Sequence, residues 1–381
     1  MNQYNETMIK RFYDNLGKHL QKGKVLVISG PRQVGKTTLI KNYLSKLKES
    51  NKYVSGENIK VQNALSSSDL DILATFCEGN NVIAIDEANR IHDIGLNLKL
   101  MVDNIPGLKI IVSSSSTFEL TGQIGEPLTG RKTTIFLFPI SFIELKDVCK
   151  KYEMLNEKLD DALIYGLYPE VVLSKKKKDK REKVIELAES YLLKDILSFE
   201  KIKNSKLIFD LLKLIAFQIG SEVSLLEIGQ KLGIDSKTVL RYIDILEKSY
   251  ILFNLRPYSG NLRNEITKKS KYYFYDNGIR NAIISNMNDL SSRDDIGKLW
   301  ENFLVIERLK RQAYKKIHSN NYFWRTWEGN EIDFIEERGG RLHAFEFKYG
   351  MPKKKNKKFV ETYPNAVLKT ITRENFLEFV T

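Results

Sequence analysis

Residues 30–37 carry two glycines, a lysine and a threonine at the spacing G-x-x-x-x-G-K-[ST], between an apolar run and a helical pattern. Glycine lets the backbone approach a bulky anion closely, and the start of the next helix adds partial positive charge. The N–H groups of such a loop converge on phosphate oxygens, which Lys36 would also reach, while Thr37 would ligate Mg²⁺. The sequence therefore predicts a phosphate-binding loop rather than an ordinary turn between a strand and a helix. Its members are Gly30, Pro31, Arg32, Gln33, Val34, Gly35, Lys36, Thr37 and Thr38.

Two acidic residues, Asp86 and Glu87, end a second apolar run that begins near residue 81. In open α/β sheets, ligands bind beside the carboxyl ends of the strands, so both acids are expected near the phosphate loop. Asp86 would join the Mg²⁺ shell, and Glu87 would polarise the water that attacks ATP. An acid pair after an apolar run is common by itself, and the complete loop upstream makes this assignment specific.

Two further positions are candidates for contact with the terminal phosphate. Four serines follow the predicted strand of residues 109–112, and either Ser114 or Ser115 could sense the γ-phosphate, with an ordinary polar loop as the alternative. Arg131 follows Gly130 and is either a cation that reaches the γ-phosphate of a neighbouring subunit or a surface arginine. The first interpretation of Arg131 requires a homo-oligomer.

Apolar strands and helical patterns alternate over residues 24–138, which is typical of a parallel α/β sheet. Strands are predicted at residues 24–29, 53–55, 81–86, 109–112 and 133–138, helices at 37–47 and 69–77, and a leading helix at 4–20. Residues 139–204 are predicted as a small helical lid, in which Pro139 and Ser141 begin the first helix.

Residues 205–285 are predicted as a winged helix. Helical patterns at 224–232 and 236–247 flank a turn at Gly233, and two strands of a wing are expected at 250–255 and 271–276. The outward residues suited to DNA contact are Ser236, Lys237 and Arg241. Such modules also serve as packing or partner surfaces, so both uses stay open.

Residues 286–381 contain Asp333, Glu346 and Lys348 at the spacing D-x(n)-E-x-K, with a Gly-Gly hairpin between the two acids. Strand alternation puts Glu346 and Lys348 on one face. If the hairpin is paired in register, Asp333 and Glu346 would bind a second divalent metal, and Glu301 would add a ligand from a helix. Lys348 would then position or deprotonate the water that attacks a phosphate. A charged hairpin kept for shape, or a fold without activity, is the alternative.

The composition is that of a globular protein of two or three domains, with 381 residues, 42% hydrophobic and 29% charged. No run of 18 apolar residues occurs, and the first 20 residues lack the apolar core of a signal peptide. We therefore expect a cytoplasmic protein without a membrane partner. Cys77 and Cys149 form no motif and are expected to be thiols rather than a disulfide or metal ligands.

The chain is basic, with 61 Lys and Arg against 48 Asp and Glu and a formal net charge of +13. Basic residues cluster at 175–181, 268–271 and 353–358. Such charge attracts polyanions, although each run taken alone is also typical of a solvated loop.

In order and over nearly the whole chain, these segments resemble the prokaryotic AAA-type ATPases that carry a C-terminal domain of unknown function. The resemblance rests on GPRQVGKTTL, VIAIDEANRI, LTGRK, FPISFIEL and YGLYPEVV. It implies an AAA+-like core with sheet order 5-1-4-3-2, a catalytic glutamate and ATP as ligand. Two departures affect only the sensing role: four serines where the family usually shows a Thr-Gly-Ser type sequence, and Asn89 in place of the commoner glutamine.

The segment with Asp333 and Glu346 is similar to the restriction-endonuclease-like PD-(D/E)xK family, with Ile332 in place of the proline. The combined prediction is an ATP-hydrolysing switch or motor whose nucleotide state acts on a DNA-facing C-terminal half. One alternative is a metal-dependent DNA nuclease with a regulatory ATPase, and another is a partner-binding regulatory protein with an inactive nuclease fold. The predicted domains are 1–138, 139–204, 205–285 and 286–381.

Overall fold

The computed structural model describes residues 9–115, 128–199, 205–259, 269–350 and 357–381. Ser116, Lys268, residues 353–356 of the basic run and residues 4–8 of the predicted leading helix lie outside these ranges. One compact unit comprises Lys10–Phe138 with Lys248–Tyr250, and the other contains Pro139–Glu247 and Ile251–Thr381. The finer division into four domains stays a prediction. Within the described ranges, no helix combines the length and the apolar composition needed to cross a bilayer.

The first unit is built on a parallel sheet of β1 Val25–Ser29, β2 Asn51–Ser55, β3 Val82–Asp86, β4 Lys109–Ser114 and β5 Lys132–Phe136. The strands lie in the order β2-β3-β4-β1-β5, which confirms the predicted order read from the other edge. Every residue of β1 and β3 is buried, as expected for central strands of a parallel sheet.

Four described helices follow strands of this sheet: α1 Lys36–Leu44, α2 Ile59–Leu65, α3 Leu70–Cys77 and α4 Ile94–Asn104. Apolar side chains of α2, α3 and α4 pack on β1, β3 and β4 in one core, which includes Leu65, Leu73, Leu98, Ile83 and Ile110. Because the strands are parallel, this packing holds the carboxyl ends of β1, β3 and β4 at the same edge of the sheet.

The predicted leading helix is wrong for residues 9–15, which are irregular, and the structure has a short 3₁₀ helix at Leu16–His19 instead. Tyr13 and Leu16 are nevertheless buried. The apolar spacing therefore reflected the burial of an irregular segment rather than a helix. Gly17, a poor helix former, lies where the predicted helix was expected to continue.

The second unit begins with the predicted helix start at Ser141, whose side chain accepts the N–H of Glu144 while the Glu144 carboxylate accepts the N–H of Ser141. Its described helices are α5 Phe142–Leu145, α6 Lys151–Glu153, α7 Leu159–Ile164, α8 Pro169–Leu173, α9 Lys177–Phe199, α10 Ser205–Phe217, α11 Leu225–Leu232, α12 Ser236–Lys248, α13 Asn277–Ile283, α14 Ile296–Lys315, α15 Lys357–Thr362 and α16 Phe376–Val380.

The sheet of this unit contains β6 Leu252–Pro257, β7 Lys271–Phe274, β8 Asn320–Arg325, β9 Glu331–Arg338, β10 Arg341–Phe347 and β11 Val367–Ile371. Its order is β11-β10-β9-β8-β6-β7. The predicted hairpin is confirmed by antiparallel pairing of β9 with β10. The two strands predicted as a wing, β6 and β7, pair with each other, and β6 also pairs with β8, so they continue the C-terminal sheet.

Candidate functional site

The loop between β1 and α1 needs glycine at both of its ends. At Gly30 the backbone has φ +147°, and an added Cβ would lie 2.1 Å from the carbonyl oxygen of Leu137. Gly35 has φ +96° and precedes α1, so its conformation starts the helix at Lys36. The loop is thereby fixed against the end of β5, with the amino end of α1 behind it.

Lys36 is buried, and its Nζ donates to the carbonyl oxygens of Gly30 at 2.8 Å and Pro31 at 2.6 Å. The ammonium group therefore lies against the loop that was predicted to hold phosphates. A loop of this shape with a lysine and a helix amino end suits a polyphosphate.

Asp86 forms the meeting point of three hydroxyl groups. Its carboxylate accepts hydrogen bonds from Thr37 Oγ1 at 2.5 Å, from Tyr53 Oη at 2.7 Å and from Ser113 Oγ. Burial and then the hydrogen bond to Asp86 raise the pKa of Tyr53. Hydroxyl and carboxylate oxygens are the ligands that Mg²⁺ prefers, so Thr37 and Asp86 fit the predicted role.

Glu87 is held by serines from the end of β4. It has a positive φ of 49°, its N–H donates to Ser113 Oγ at 3.2 Å, and Ser115 Oγ donates to its Oε2 at 3.1 Å. Ser114 is fully buried and stands opposite Ser29 in the pairing of β4 with β1. Ser115, one of the two serines left open by the sequence, thus contacts the acid expected to act on water.

Gly56 is a site residue that sequence reasoning missed. Its N–H donates to the carbonyl oxygen of Asp86 at 2.7 Å, and an added Cβ would lie 2.3 Å from the carbonyl oxygen of Glu87. A glycine directly after the predicted second strand was the available signal. Its small size allows the chain after β2 to pass close to the acid pair.

Arg11 was also missed. Its side chain is buried, and it donates from Nη1 to the carbonyl oxygen of Val34 at 2.5 Å and from Nη2 to that of Phe138 at 2.6 Å. The guanidinium group therefore ties the phosphate loop to Phe138, the second residue after β5. The sequence offered no signal, because the partner carbonyls are distant along the chain.

Arg131 lies at the amino end of β5, where its carbonyl oxygen accepts the N–H of Val25 at 2.8 Å. This is the edge of the sheet opposite to the phosphate loop. Its Nε donates to Asp103 at 2.6 Å. Contact of Arg131 with a neighbouring subunit stays a prediction.

In the second unit, Glu301 is bound by a lysine of the basic run at 268–271. Lys271 is 1% exposed and its Nζ lies 3.1 Å from Glu301 Oε1, with Glu331 as a second carboxylate partner. Tyr273 donates to the same Glu301 oxygen at 2.6 Å. Burial alone would lower the pKa of Lys271, but Glu301 and Glu331 raise it overall. Lys271 is therefore a buried internal cation.

Asp333 lies beside an irregularity in the pairing of β8 with β9. Between Tyr322 and Trp324 of β8 the partner strand advances three residues, from Ile335 to Ile332, so β9 carries one extra residue. Asp333 accepts the N–H of Phe347 at 2.6 Å and thus lies across from the end of β10. Burial and then the charge of Glu301 raise the pKa of Asp333 to about 7.

The second metal site has no support among the described residues, because no group of three or more His, Cys, Asp or Glu side chains there is arranged to hold a metal ion. Glu346 is buried, and the backbone N–H of Lys348 donates to Ile371 at 2.9 Å. Metal binding by Asp333, Glu346 and Glu301, with a role for Lys348, stays a prediction.

The helix pair α11 and α12 is joined as the sequence indicated. Gly233 ends α11 in the left-handed conformation, Ser224 caps its start, and Asp235 accepts the N–H of Thr238 at 2.9 Å. Lys237 and Arg241 are exposed on α12. DNA contact by these residues stays a prediction.

Three family models match successive parts of the chain. Residues 22–146 match an AAA domain, residues 156–290 match a domain of unknown function (DUF8612), and residues 296–374 match another (DUF4143).

Curated relatives cover most of the chain. An uncharacterized protein of Mycobacterium tuberculosis is 25% identical over 87% of this chain and 72% of its own length. An uncharacterized protein of Haemophilus influenzae is 21% identical over 86% of this chain and 83% of its own length. Among solved structures, a Walker-type ATPase of Pyrococcus abyssi has a TM-score of 0.49 and 15% identity, covering 74% of this chain and 97% of that chain. The parallel sheet and the phosphate loop of the first unit agree with the match of residues 22–146 to an AAA domain.

Proposed function

We propose that the chain binds ATP with Mg²⁺ and hydrolyses it, and that the nucleotide state controls its C-terminal half. The observation that carries the proposal is the contact of Thr37 with Asp86. It joins the helix after the phosphate loop to the acid pair after β3. Phosphoryl transfer requires a phosphate loop, a carboxylate that binds the metal and a carboxylate that activates the attacking water, all in one place.

The roles of the individual groups follow from their positions. Backbone N–H groups of residues 30–37 and the ammonium of Lys36 bind the β- and γ-phosphates. Thr37 and Asp86 would hold Mg²⁺, which neutralises phosphate charge when it is bound. Glu87 takes the proton of the attacking water, and the hydroxyl of Ser115 positions its carboxylate.

We further propose that the C-terminal half carries the output and contacts DNA, since a chain of net charge +13 attracts polyanions. Exposed Lys237 and Arg241 on α12 are the candidates already described. A homo-oligomer with Arg131 acting on a neighbour's γ-phosphate is part of this proposal. A metal-dependent nuclease is the weaker candidate, because the ammonium of Lys271 already compensates Glu301.

The test is release of inorganic phosphate from ATP by the purified full chain with Mg²⁺. Glu87→Gln is expected to lower turnover by about 100-fold or more, since a positioned general base alone supplies this much. Lys36→Ala is expected to lower turnover by at least the same factor, because it removes the cation that binds the β- and γ-phosphates. Lys22→Ala removes an exposed lysine outside the loop and should leave turnover unchanged. Wild-type turnover no greater than that of Lys36→Ala would contradict the proposal.

A further inference from the structure

A cleft of about 1020 Å³ opens in the second unit beside β11, at the edge of its sheet. Its walls come from α14, α16 and the ends of β9 and β10. The lining combines basic side chains with apolar ones, of which Phe345 and Phe379 form an apolar floor. The basic residues are Arg308, Arg311, Arg338, His343 and Lys369.

One of these cations is committed to holding the fold. Arg308 binds both carboxylate oxygens of Glu336 and donates from Nη1 to Phe379 O at 2.7 Å. Its guanidinium also lies 4.6 Å from the ring centre of Phe379. Arg308 therefore supports the floor of the cleft and is not available to a ligand.

The remaining cations are less compensated. Arg311 donates to the backbone carbonyl oxygens of Glu378 and Phe379. Arg338 Nε lies 3.3 Å from Oε2 of Glu336, the carboxylate that Arg308 also binds. Within the described part of the chain, neither Arg311 nor Lys369 forms an ion pair with a carboxylate. Four full positive charges thus face two acids, Glu336 and Glu378, which leaves the cleft electropositive.

The titration of two lining groups agrees with this charge balance. Burial and then the charge of Arg308 lower the pKa of Arg311, and burial and then Arg338 lower the pKa of His343. The lowered pKa favours the neutral imidazole of His343, which offers one donor and one acceptor nitrogen.

We propose that this cleft binds the phosphodiester backbone of single-stranded nucleic acid through Arg311, Arg338 and Lys369. The guanidinium fork matches phosphate oxygens, and an apolar floor suits sugars and bases. The volume is at the upper end of small-ligand cavities and admits a few nucleotides of one strand. The unpaired bases of a single strand can reach the apolar floor, whereas the bases of a duplex are stacked inside it. The choice of partner rests on the proposed DNA-facing role, whereas the site is made of residues that neither the ATPase nor α12 uses.

The test is fluorescence anisotropy of a labelled 20-nucleotide single strand with the full chain, in EDTA without ATP, over a series of salt concentrations. The double variant Arg338→Gln with Lys369→Gln should weaken binding on the order of 10-fold, whatever the strand sequence. It should also reduce the slope of log affinity against log salt by roughly 1.4, which corresponds to two lost phosphate contacts. Glu336 keeps Arg308 and Gln312 as partners in this variant, so the fold should persist.

The matched control is Lys22→Gln with Lys60→Gln, which removes two exposed charges in the other unit and should bind like wild type. An equal loss of affinity in both double variants would overturn the proposal that the cleft binds the strand, because net charge alone would then explain binding. An unchanged affinity of the cleft variant, tighter binding of a duplex, or no binding by wild type would also overturn it. Lys36→Ala should bind the strand normally, which separates failure of this site from failure of the proposed ATPase.

Discussion

Gly56 and Glu87 approach each other so closely that a Cβ on residue 56 would lie 2.3 Å from the Glu87 carbonyl oxygen. The atom it would meet is backbone, so the chain at Glu87 must shift to admit a methyl group. Gly56→Ala is expected to lower ATP turnover on the order of 100-fold, because a small misplacement of a catalytic group costs this much. Initial rates of phosphate release at saturating ATP measure the effect.

The control for this variant is Gly297→Ala, since nothing lies within 4 Å of a Cβ added at that helical position. It should keep full turnover and gain up to about 1 kcal/mol of stability. Normal turnover in Gly56→Ala would show that the acid pair does not need this close approach.

Ser115 and Ser114 should respond differently to the loss of their hydroxyl groups. Ser115→Ala removes the hydrogen bond to Glu87 Oε2 and is expected to lower the turnover number about 10-fold, with little change in KM. Ser114→Ala should have the smaller effect on the turnover number. Steady-state kinetics of both variants decide the matter, and equal turnover numbers would remove Ser115 from the site.

Replacing Lys271 by methionine should destabilise the second unit. The change leaves the partly buried carboxylates of Glu301 and Glu331 without their ammonium partner, and the expected loss is at the lower end of the about 3–5 kcal/mol typical of fully buried pairs. All three tryptophans, Trp300, Trp324 and Trp327, belong to this unit, so fluorescence during urea unfolding reports on it. Adding Glu301→Gln to Lys271→Met should recover part of the loss. No loss in the single variant would show that Glu301 and Glu331 are tolerated without an ammonium partner.

Asp276 should make the stability of the same unit depend on pH. Its carboxylate caps α13 and accepts the N–H of Leu167 at 2.6 Å, yet burial raises its pKa to about 6 from 3.8. The folded state therefore binds the proton more tightly, and stability from this group is present below pH 3.8 and lost as pH rises through 6. The loss amounts to about 3 kcal/mol at most.

The measurement compares wild type with Asp276→Asn by urea unfolding at several pH values from 4 to 7. Asparagine cannot titrate and is a good helix cap, so the stability of the variant relative to wild type should rise over this range. A constant difference at all pH values would mean that Asp276 does not titrate between the folded and unfolded states as its burial implies.

The phosphate loop and the strands of the first sheet could be predicted because their signals are local, whereas the strand order followed from the family resemblance. Eight consecutive residues define the loop, and short apolar runs followed by glycine or acids define the strands. Contacts made by Arg11 and Gly56 depend on carbonyl groups from distant segments, which no spacing rule reports. These contacts appear only when the sheet brings the segments together.

The C-terminal site was predicted less completely, for a different physical reason. The Gly-Gly pair between Asp333 and Glu346 indicated the hairpin, which is present. Lys271 stood in a basic run that resembled a solvated loop, and its side chain turned inward because Glu301 and Glu331 repay part of its desolvation. Sequence alone could not show that a distant lysine would compensate a predicted metal ligand.

The most direct test of the central claim is calorimetric titration of Mg²⁺-ATP into the full chain. Wild type and Glu87→Gln are predicted to bind one ATP per chain with similar affinity, since Glu87 acts on water and not on phosphate. Lys36→Ala should lose most of this affinity. Absence of ATP binding by Glu87→Gln, or equal binding by Lys36→Ala and wild type, would contradict the assignment of the phosphate loop as the nucleotide site.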